Sequence, residues 1–230
     1  MKIHGLQKMT LLDYPGKVAC TVFLGGCEFR CPFCHNADLL DPNAPAQMDD
    51  EELLRFLKTR TGLLDGVAIT GGEPLLRQDL PDLLVRIRDL GYLVKIDTNG
   101  NHPTRLKKIL DEGLADYVAM DVKNSPQRYG ETVGIPGFDM ARISESIGIL
   151  LSSDTEYEFR TTVVKQFHDE ASFEEIGPWI RGATRYFLQG FVESEFVPDK
   201  SLHAIDKEKL LRYRQELLKT IGSVELRGYD

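Results

Sequence analysis

Short apolar runs alternate with amphipathic stretches along most of the chain, and this alternation is the strongest constraint on its fold. The apolar runs predict six strands, at 17–24, 66–70, 92–98, 117–121, 157–164 and 184–189. Stretches with helical spacing of apolar residues follow them, at 49–62, 79–91, 103–113, 139–153, 170–182 and 206–222. Repeated strand–helix units predict an α/β fold with parallel strands and right-handed crossovers. Six units are too few for a closed eight-stranded barrel, which leaves an open partial barrel or a doubly wound sheet.

The length of 230 residues fits one domain. We expect an N-terminal extension at 1–16, a core at 17–190 and a C-terminal segment with a helix at 191–230. The net charge of −8 and the absence of a basic tract argue against a nucleic-acid partner. The longest apolar run is too short to span a membrane, and the first residues lack the apolar core of a secretion signal, so we expect a cytoplasmic protein.

Unusual polar residues collect where the predicted strands end. Three cysteines follow the first strand and the sequence GGEP (71–74) follows the second. The later strands carry Asp97 and Thr98, Asp121 and Lys123, Arg160, and Gln189. Because the carboxyl ends of parallel strands lie at one rim of a sheet, this distribution predicts a functional site there.

Cys27, Cys31 and Cys34 lie within eight residues, in the sequence GGCEFRCPFCHN. In a reducing compartment such a cluster favours metal binding over a disulfide. A structural zinc site would need a fourth ligand, and His35 directly adjoins Cys34, which makes convergence on one ion awkward. A four-iron cluster held by three thiolates would leave one iron open for a substrate or cofactor. Cys20 lies in an apolar strand and is expected to be a core residue.

The C-x3-C-x2-C spacing with Phe33 before the last cysteine, together with GGEP, resembles the radical S-adenosylmethionine (SAM) enzymes. This resemblance implies a partial (β/α)6 barrel resembling an incomplete TIM barrel. The stretch GLQKMTLLDYPGKVACTVFLGGCEFRCPFCHN, with DTNG (97–100) and DVK (121–123), is most similar to activating proteins of anaerobic ribonucleoside-triphosphate reductase. It is more distantly similar to pyruvate formate-lyase activating enzymes.

The resemblance implies one [4Fe–4S] cluster on Cys27, Cys31 and Cys34, with SAM bound to the open iron. One electron then cleaves SAM to a 5′-deoxyadenosyl radical, which makes a glycyl radical on a partner enzyme. With only Cys20 to spare, the chain cannot hold a second cluster, so a flavodoxin or ferredoxin is expected to supply the electron.

The resemblance also implies a SAM site. Gly71 and Gly72 would let the backbone approach the methionine amino group, and Glu73 would accept from that ammonium. Lys123 would pair with the methionine carboxylate, and Phe33 would lie against the adenine.

The roles of the Asp97–Thr98 pair and of Arg160 in this site each have two alternatives. Asp97 and Thr98 would lie near the ribose or methionine, or hold a monovalent cation together with Asp121. Arg160 would reach SAM or would only pair with Glu158.

Some features depart from the family pattern or carry no assignment. The sixth strand has LQGF (188–191) where pyruvate formate-lyase activators share a P-Y-H stretch, so Gln189 has no counterpart there. His102, His168 and His203 are expected at the surface. The long connection 124–138 either covers the barrel or contacts a partner through Arg128 and Tyr129.

Three alternative functions stay open at this point. They are activation of another glycyl radical enzyme such as pyruvate formate-lyase, a small-molecule radical SAM reaction of the deazapurine carboxylate synthase type, and a non-catalytic iron–sulfur carrier. The cysteine count disfavours the carrier, which would use four thiolates.

Overall fold

The computed structural model describes residues 1–228 and has an α/β architecture. Its strands are β1 (Lys2–Ile3), β2 (Gly5–Thr10), β3 (Ala19–Leu24), β4 (Met48–Asp49), β5 (Gly66–Gly71), β6 (Leu93–Thr98), β7 (Tyr117–Asp121), β8 (Glu156–Val163), β9 (Tyr186–Gly190) and β10 (Val224–Arg227). Its α-helices are α1 (Asp50–Lys58), α2 (Leu80–Asp89), α3 (Pro103–Asp111), α4 (Tyr129–Thr132), α5 (Ala141–Leu151), α6 (Glu170–Trp179) and α7 (Lys207–Leu217).

Eight of these strands form one sheet, in the order β10-β9-β8-β7-β6-β5-β3-β2. Every neighbouring pair is parallel except β2 with β3, which is antiparallel. Strands β1 and β4 form a separate antiparallel pair. The prediction of an α/β fold with a mainly parallel sheet is therefore confirmed.

The predicted six strands all occur, within two residues at either end, but the sequence analysis missed both edges of the sheet. The segment 1–16, expected as an extension, contributes β2 as an antiparallel edge strand. The C-terminal segment contributes β10 as a seventh parallel strand beside β9. The helices are shorter than predicted, and α1 ends at Lys58 because residues 59–64 form turns.

Two helices begin at capping boxes. The Asp49 carboxylate accepts from the backbone N–H of Glu52, and the Glu52 side chain accepts from the backbone N–H of Asp49. Asp169 and Ser172 make the same reciprocal pair at the start of α6. Such caps satisfy N–H groups that have no partner inside the helix, and they fix where each crossover turns back toward the sheet.

The sheet curls into an open barrel, since residues of β3 and of β9 line the same cavity. At the opposite end from the cysteine loop, Tyr14 and Tyr117 fill the interior, with their ring centroids 6.0 Å apart. Within residues 1–228, β2 and β10 are the edges of the sheet and do not pair with each other. One side of the barrel therefore stays unclosed.

No helix in the described part of the chain is both long enough and apolar enough to cross a membrane.

Candidate active site

A cavity of about 300 Å³ lies at the carboxyl ends of the parallel strands. Gln189 and all but one of the other predicted site residues line it, namely Cys27, Cys31, Phe33, Cys34, Gly71, Gly72, Asp97, Thr98, Asp121, Lys123 and Arg160. The exception is Glu73. The parallel topology thus brings together residues from six strand ends, as expected for this class of sheet.

The three cysteines of the loop after β3 face this cavity as free thiols. Burial raises the pKa of Cys27 to about 12 and that of Cys31 to about 11, so these thiols are protonated near neutral pH. Binding a metal centre would therefore release protons. Cys20 is fully buried in the hydrophobic core and does not line the cavity.

The donor set fits an iron–sulfur cluster better than a single ion. No three His, Cys, Asp or Glu side chains within residues 1–228 are grouped so that they could hold one metal ion. The three thiols instead line one cavity of about 300 Å³, which has space for a group larger than a single ion. Soft thiolates are the ligands that iron–sulfur clusters require.

The loop itself is anchored by its neighbours. Arg30 donates from Nη1 to the carbonyl oxygen of Cys27 at 2.6 Å, and its backbone N–H donates to Val133 O at 2.9 Å. Phe29 packs edge-on against Phe138 with centroids 5.3 Å apart. These contacts hold the cysteine loop in a defined shape before any cofactor binds.

Gly71 and Gly72 lie too close to neighbouring backbone atoms to carry a side chain, which could not be predicted from the sequence. A Cβ on Gly71 would lie 2.2 Å from the carbonyl oxygen of Leu24, and Gly71 has φ +123°. A Cβ on Gly72 would lie 2.1 Å from the carbonyl oxygen of Gly26. The glycines therefore allow the end of β5 to pack against the start of the cysteine loop, whatever they do for a ligand.

Glu73 is fully buried outside the cavity lining. Its carboxylate accepts from the backbone N–H groups of Leu75 at 2.9 Å and Asn99 at 2.7 Å, and from the Thr98 hydroxyl at 2.8 Å. Burial raises the pKa of Glu73 above its usual value, although these hydrogen bonds oppose the shift. In the ligand-free chain this carboxylate does not line the cavity and instead joins the segments that follow β5 and β6.

A network of charges crosses the cavity floor. Asp97 contacts Lys95 Nζ and lies 3.4 Å from Arg160 Nη1. Asp121 accepts from Arg160 Nε and from Lys123 Nζ, both at 2.9 Å. Of the cations in this network, Lys123 and Arg160 line the cavity, so both face the space in which an anionic ligand would lie.

The ionisation of these groups is set by their pairing. Burial alone would raise the pKa of Asp121, but Arg160 and Lys123 outweigh it and lower that pKa to about 2. Burial alone would lower the pKa of Lys123, but Asp121 raises it above its ordinary value. Both carboxylates are thus paired with side-chain cations, Asp97 with Lys95 and Arg160, and Asp121 with Lys123 and Arg160.

Arg160 does not pair with Glu158, contrary to one of the two predicted alternatives. Glu158 is fully buried and accepts from Arg227 at 2.6 and 2.8 Å and from the Tyr117 hydroxyl at 2.7 Å. Arg227 lies on β10, a strand that was not predicted from the sequence, so its ion pair with Glu158 could not be predicted either.

His168, expected at the surface, and Tyr129, one of the two candidate partner contacts, are both buried. His168 is 3% exposed, and its Nε2 lies 3.0 Å from the carbonyl oxygen of Lys123. Burial lowers the pKa of His168 to about 4, so the ring is neutral.

Tyr129 is fully buried among Phe29, Phe138 and Trp179. Tyr129 is therefore not available as a partner contact, whereas Arg128 is partly exposed and pairs with Asp169 at 3.4 Å.

Several residues in and around the cavity were not predicted from the sequence. Asp13, in the turn before β3, accepts from the Thr21 hydroxyl at 2.5 Å. Lys95 is 2% exposed inside the barrel. Asn99 was overlooked although it lies within the DTNG stretch that carried the resemblance. Alternation along β3 and β6 would have placed Thr21 and Lys95 on the inner face, had the direction of that face been known.

Comparisons with known proteins identify the family of this chain. A model of the Radical SAM superfamily matches residues 21–175. A Methanocaldococcus jannaschii protein with the provisional name glycyl-radical enzyme activating enzyme is 30% identical, over 99% of this chain and 93% of its own. The pyruvate formate-lyase-activating enzyme of Clostridium pasteurianum is 28% identical, over 94% of this chain and 98% of its own.

Among solved structures, SuiB of Streptococcus suis bound to its precursor peptide SuiA superposes with a TM-score of 0.72. The match covers 90% of this chain but only 48% of SuiB, at 16% identity, so it concerns the fold alone.

The family match covers well over half of the chain, and the cysteine loop and GGEP rim lie inside it. The chain therefore belongs to the radical SAM superfamily of enzymes, which use a [4Fe–4S] cluster and SAM, and it is homologous over nearly its whole length to glycyl-radical enzyme activating enzymes.

Proposed function

We propose that this chain installs a glycyl radical on a partner enzyme, and that the partner is an anaerobic ribonucleoside-triphosphate reductase. The observation that carries the proposal is the unclosed barrel: the cavity with the three cysteines lies inside a sheet whose edges, β2 and β10, do not pair within residues 1–228. An open side of this kind admits a peptide loop of another protein. The N-terminal stretch quoted above supports the reductase as the partner.

In this proposal, Cys27, Cys31 and Cys34 hold the cluster. When bound, the cluster and SAM supply the one-electron chemistry, and the protein supplies binding and orientation. Lys123 and Arg160 attract the methionine carboxylate, because both cations line the cavity.

The remaining cavity residues position SAM and shield the site. Phe33 is 3% exposed, and its ring centroid lies 5.9 Å from that of Phe167, so it offers an apolar surface for the adenine. Asp97 and Thr98, which line the cavity, lie near the ribose or the methionine of SAM in this proposal, while Gly71 and Gly72 line the cavity at the end of β5. An external flavodoxin or ferredoxin supplies the electron, since Cys20 is buried away from the cavity and no other thiol is left for a second cluster.

The test is to mix the reduced, cluster-loaded protein with SAM and the anaerobic reductase of the same genome. A glycyl radical signal in electron paramagnetic resonance, with one 5′-deoxyadenosine per radical, is the expected result. The Cys31→Ala variant, which lacks one cluster ligand, is the control and should give neither product.

Pyruvate formate-lyase is the second candidate partner, because the Clostridium pasteurianum relative spans nearly the whole chain. A parallel reaction with that enzyme separates the two. A radical on pyruvate formate-lyase alone would reject the reductase. 5′-Deoxyadenosine without a radical on either protein would favour a small-molecule substrate.

A further inference from the structure

We infer that the side-chain amide of Asn99 donates a hydrogen bond to the Sγ atom of Cys27 and thereby raises the reduction potential of the bound cluster. This inference rests on cluster binding by the three cysteines. It does not depend on which partner protein receives the radical.

The geometry places Nδ2 of Asn99 3.9 Å from Cys27 Sγ. The amide orientation is fixed by a second contact, because Oδ1 of Asn99 accepts from the backbone N–H of Asn101 at 2.9 Å. Rotating the amide by 180° would turn an N–H group toward that backbone N–H. The side chain therefore presents its nitrogen, and not its oxygen, to the sulfur.

The backbone of Asn99 is also fixed in place, by hydrogen bonds to the buried Glu73 carboxylate. Its backbone N–H donates to Oε2 of Glu73 at 2.7 Å, and the hydroxyl of the preceding Thr98 donates to Oε1 at 2.8 Å. Asn99 is 6% exposed and Glu73 is fully buried. The Glu73 carboxylate therefore positions Asn99, the residue whose amide contacts Cys27.

The cysteine loop is tied to the same segment from its other side. Nδ2 of Asn101 donates to Oε1 of Glu28 at 2.9 Å, and Glu28 adjoins Cys27 in the chain. The cysteine loop is therefore joined to the segment after β6 at two neighbouring positions, Cys27 and Glu28, and this double attachment holds the amide beside the sulfur. Of the three cluster cysteines, only Cys27 receives a side-chain donor within residues 1–228.

The electrostatic consequence follows from charge. Reduction adds one electron to the cluster and so one negative charge, which spreads onto the ligand sulfurs. An N–H donor stabilises the more negative state more strongly, and hydrogen bonds to the sulfurs are among the determinants of cluster potentials. Removing the donor should make the cluster harder to reduce.

The test is a potentiometric titration of the cluster-loaded protein, in which dithionite supplies electrons and electron paramagnetic resonance reports the reduced cluster. At a fixed potential, Asn99→Ala should lower the ratio of reduced to oxidised cluster about three- to tenfold, which corresponds to ~30–60 mV for a one-electron couple. Asn99→Asp should lower it at least as far, because it replaces the donor with a carboxylate but keeps the acceptor for Asn101.

Asn36→Ala is the matched control. Asn36 also lines the cavity, but its Nδ2 donates to the carbonyl oxygen of Gly71 at 3.1 Å instead of to a sulfur. The potential of this variant should equal that of the wild type. An unchanged potential in Asn99→Ala would overturn the inference, as would an equal shift in Asn36→Ala. Loss of the cluster from both Asn99 variants, with native circular dichroism, would overturn it too, by showing that Asn99 only holds the loop.

Discussion

The buried Glu73 carboxylate should contribute strongly to stability, and Glu73→Ala measures this. The substitution removes the acceptor for the backbone N–H groups of Leu75 and Asn99, both of which are buried. Each buried donor left without a partner costs about 1–3 kcal/mol, so the two together should lower the free energy of unfolding by about 2–6 kcal/mol. That is a large share of the ~5–15 kcal/mol typical of a folded domain.

Glu73→Gln refines the estimate, because its carbonyl oxygen can keep the Leu75 and Thr98 contacts while its amide nitrogen faces the Asn99 N–H. We expect a loss of about 1–3 kcal/mol for this variant. Urea denaturation of the apoprotein under reducing, anoxic conditions gives both values. Glu145→Ala, at an exposed carboxylate of α5, is the control and should stay within ~0.5 kcal/mol of the wild type.

Two results would refute this reasoning about Glu73. One is a loss below ~1 kcal/mol in Glu73→Ala, since even one unsatisfied buried donor should cost about that much. The other is an equal loss in the alanine and glutamine variants, which would show that the hydrogen bonds do not carry the effect.

Three further predictions concern the cofactors and the charge network. Cys20→Ala should keep full iron and sulfide content, whereas alanine at any one cluster cysteine should abolish it; cluster loss in Cys20→Ala would contradict the assignment. Lys123→Ala should weaken SAM binding about ten- to a hundredfold in anoxic isothermal titration, as expected for a lost charge-assisted contact worth ~1.5–3 kcal/mol, and wild-type affinity would exclude the contact. Burial raises the pKa of Asp121, but the pairing with Arg160 and Lys123 outweighs it and lowers that pKa to about 2. The pairing therefore stabilises the folded protein above pH ~4, and this stabilisation is lost as the pH falls toward 2. Asp121→Asn should therefore flatten the loss of stability between pH 4 and 2 by about 2 kcal/mol, and equal acid profiles in urea denaturation would rule this out.

How much of the fold the sequence could predict depends on how local each signal is. Each of the six central strands carries at least two buried apolar residues within five to eight positions, because helices cover the sheet, so each gives a recognisable pattern in a short stretch of sequence. The edge strand β2 has three exposed residues in succession, Gln7, Lys8 and Met9, and β10 has only four residues. Edge strands pair on one side only and need no continuous apolar run, which is why both were missed.

The candidate site also has features that local spacing predicts and features that it does not. Cys27, Cys31 and Cys34 share one loop, so their spacing alone predicted a metal centre, and the strand-end rule predicted that Asp97, Asp121 and Lys123 would meet them. The partners of each group could not be read from the chain, because they join residues far apart in it: Glu73 with Asn99, Arg160 with Asp121, Glu158 with Arg227.

The sequence by itself thus determined the strand–helix alternation, the grouping of the three cysteines and the rim at which the candidate site lies, since each depends on the spacing of near neighbours. Only the tertiary structure decided that Gly71 and Gly72 serve the packing of β5 against the cysteine loop, and that Glu73 supports Asn99 instead of projecting into the cavity. Both depend on which backbone atoms approach within a few ångströms across the sheet, and local spacing does not encode that distance.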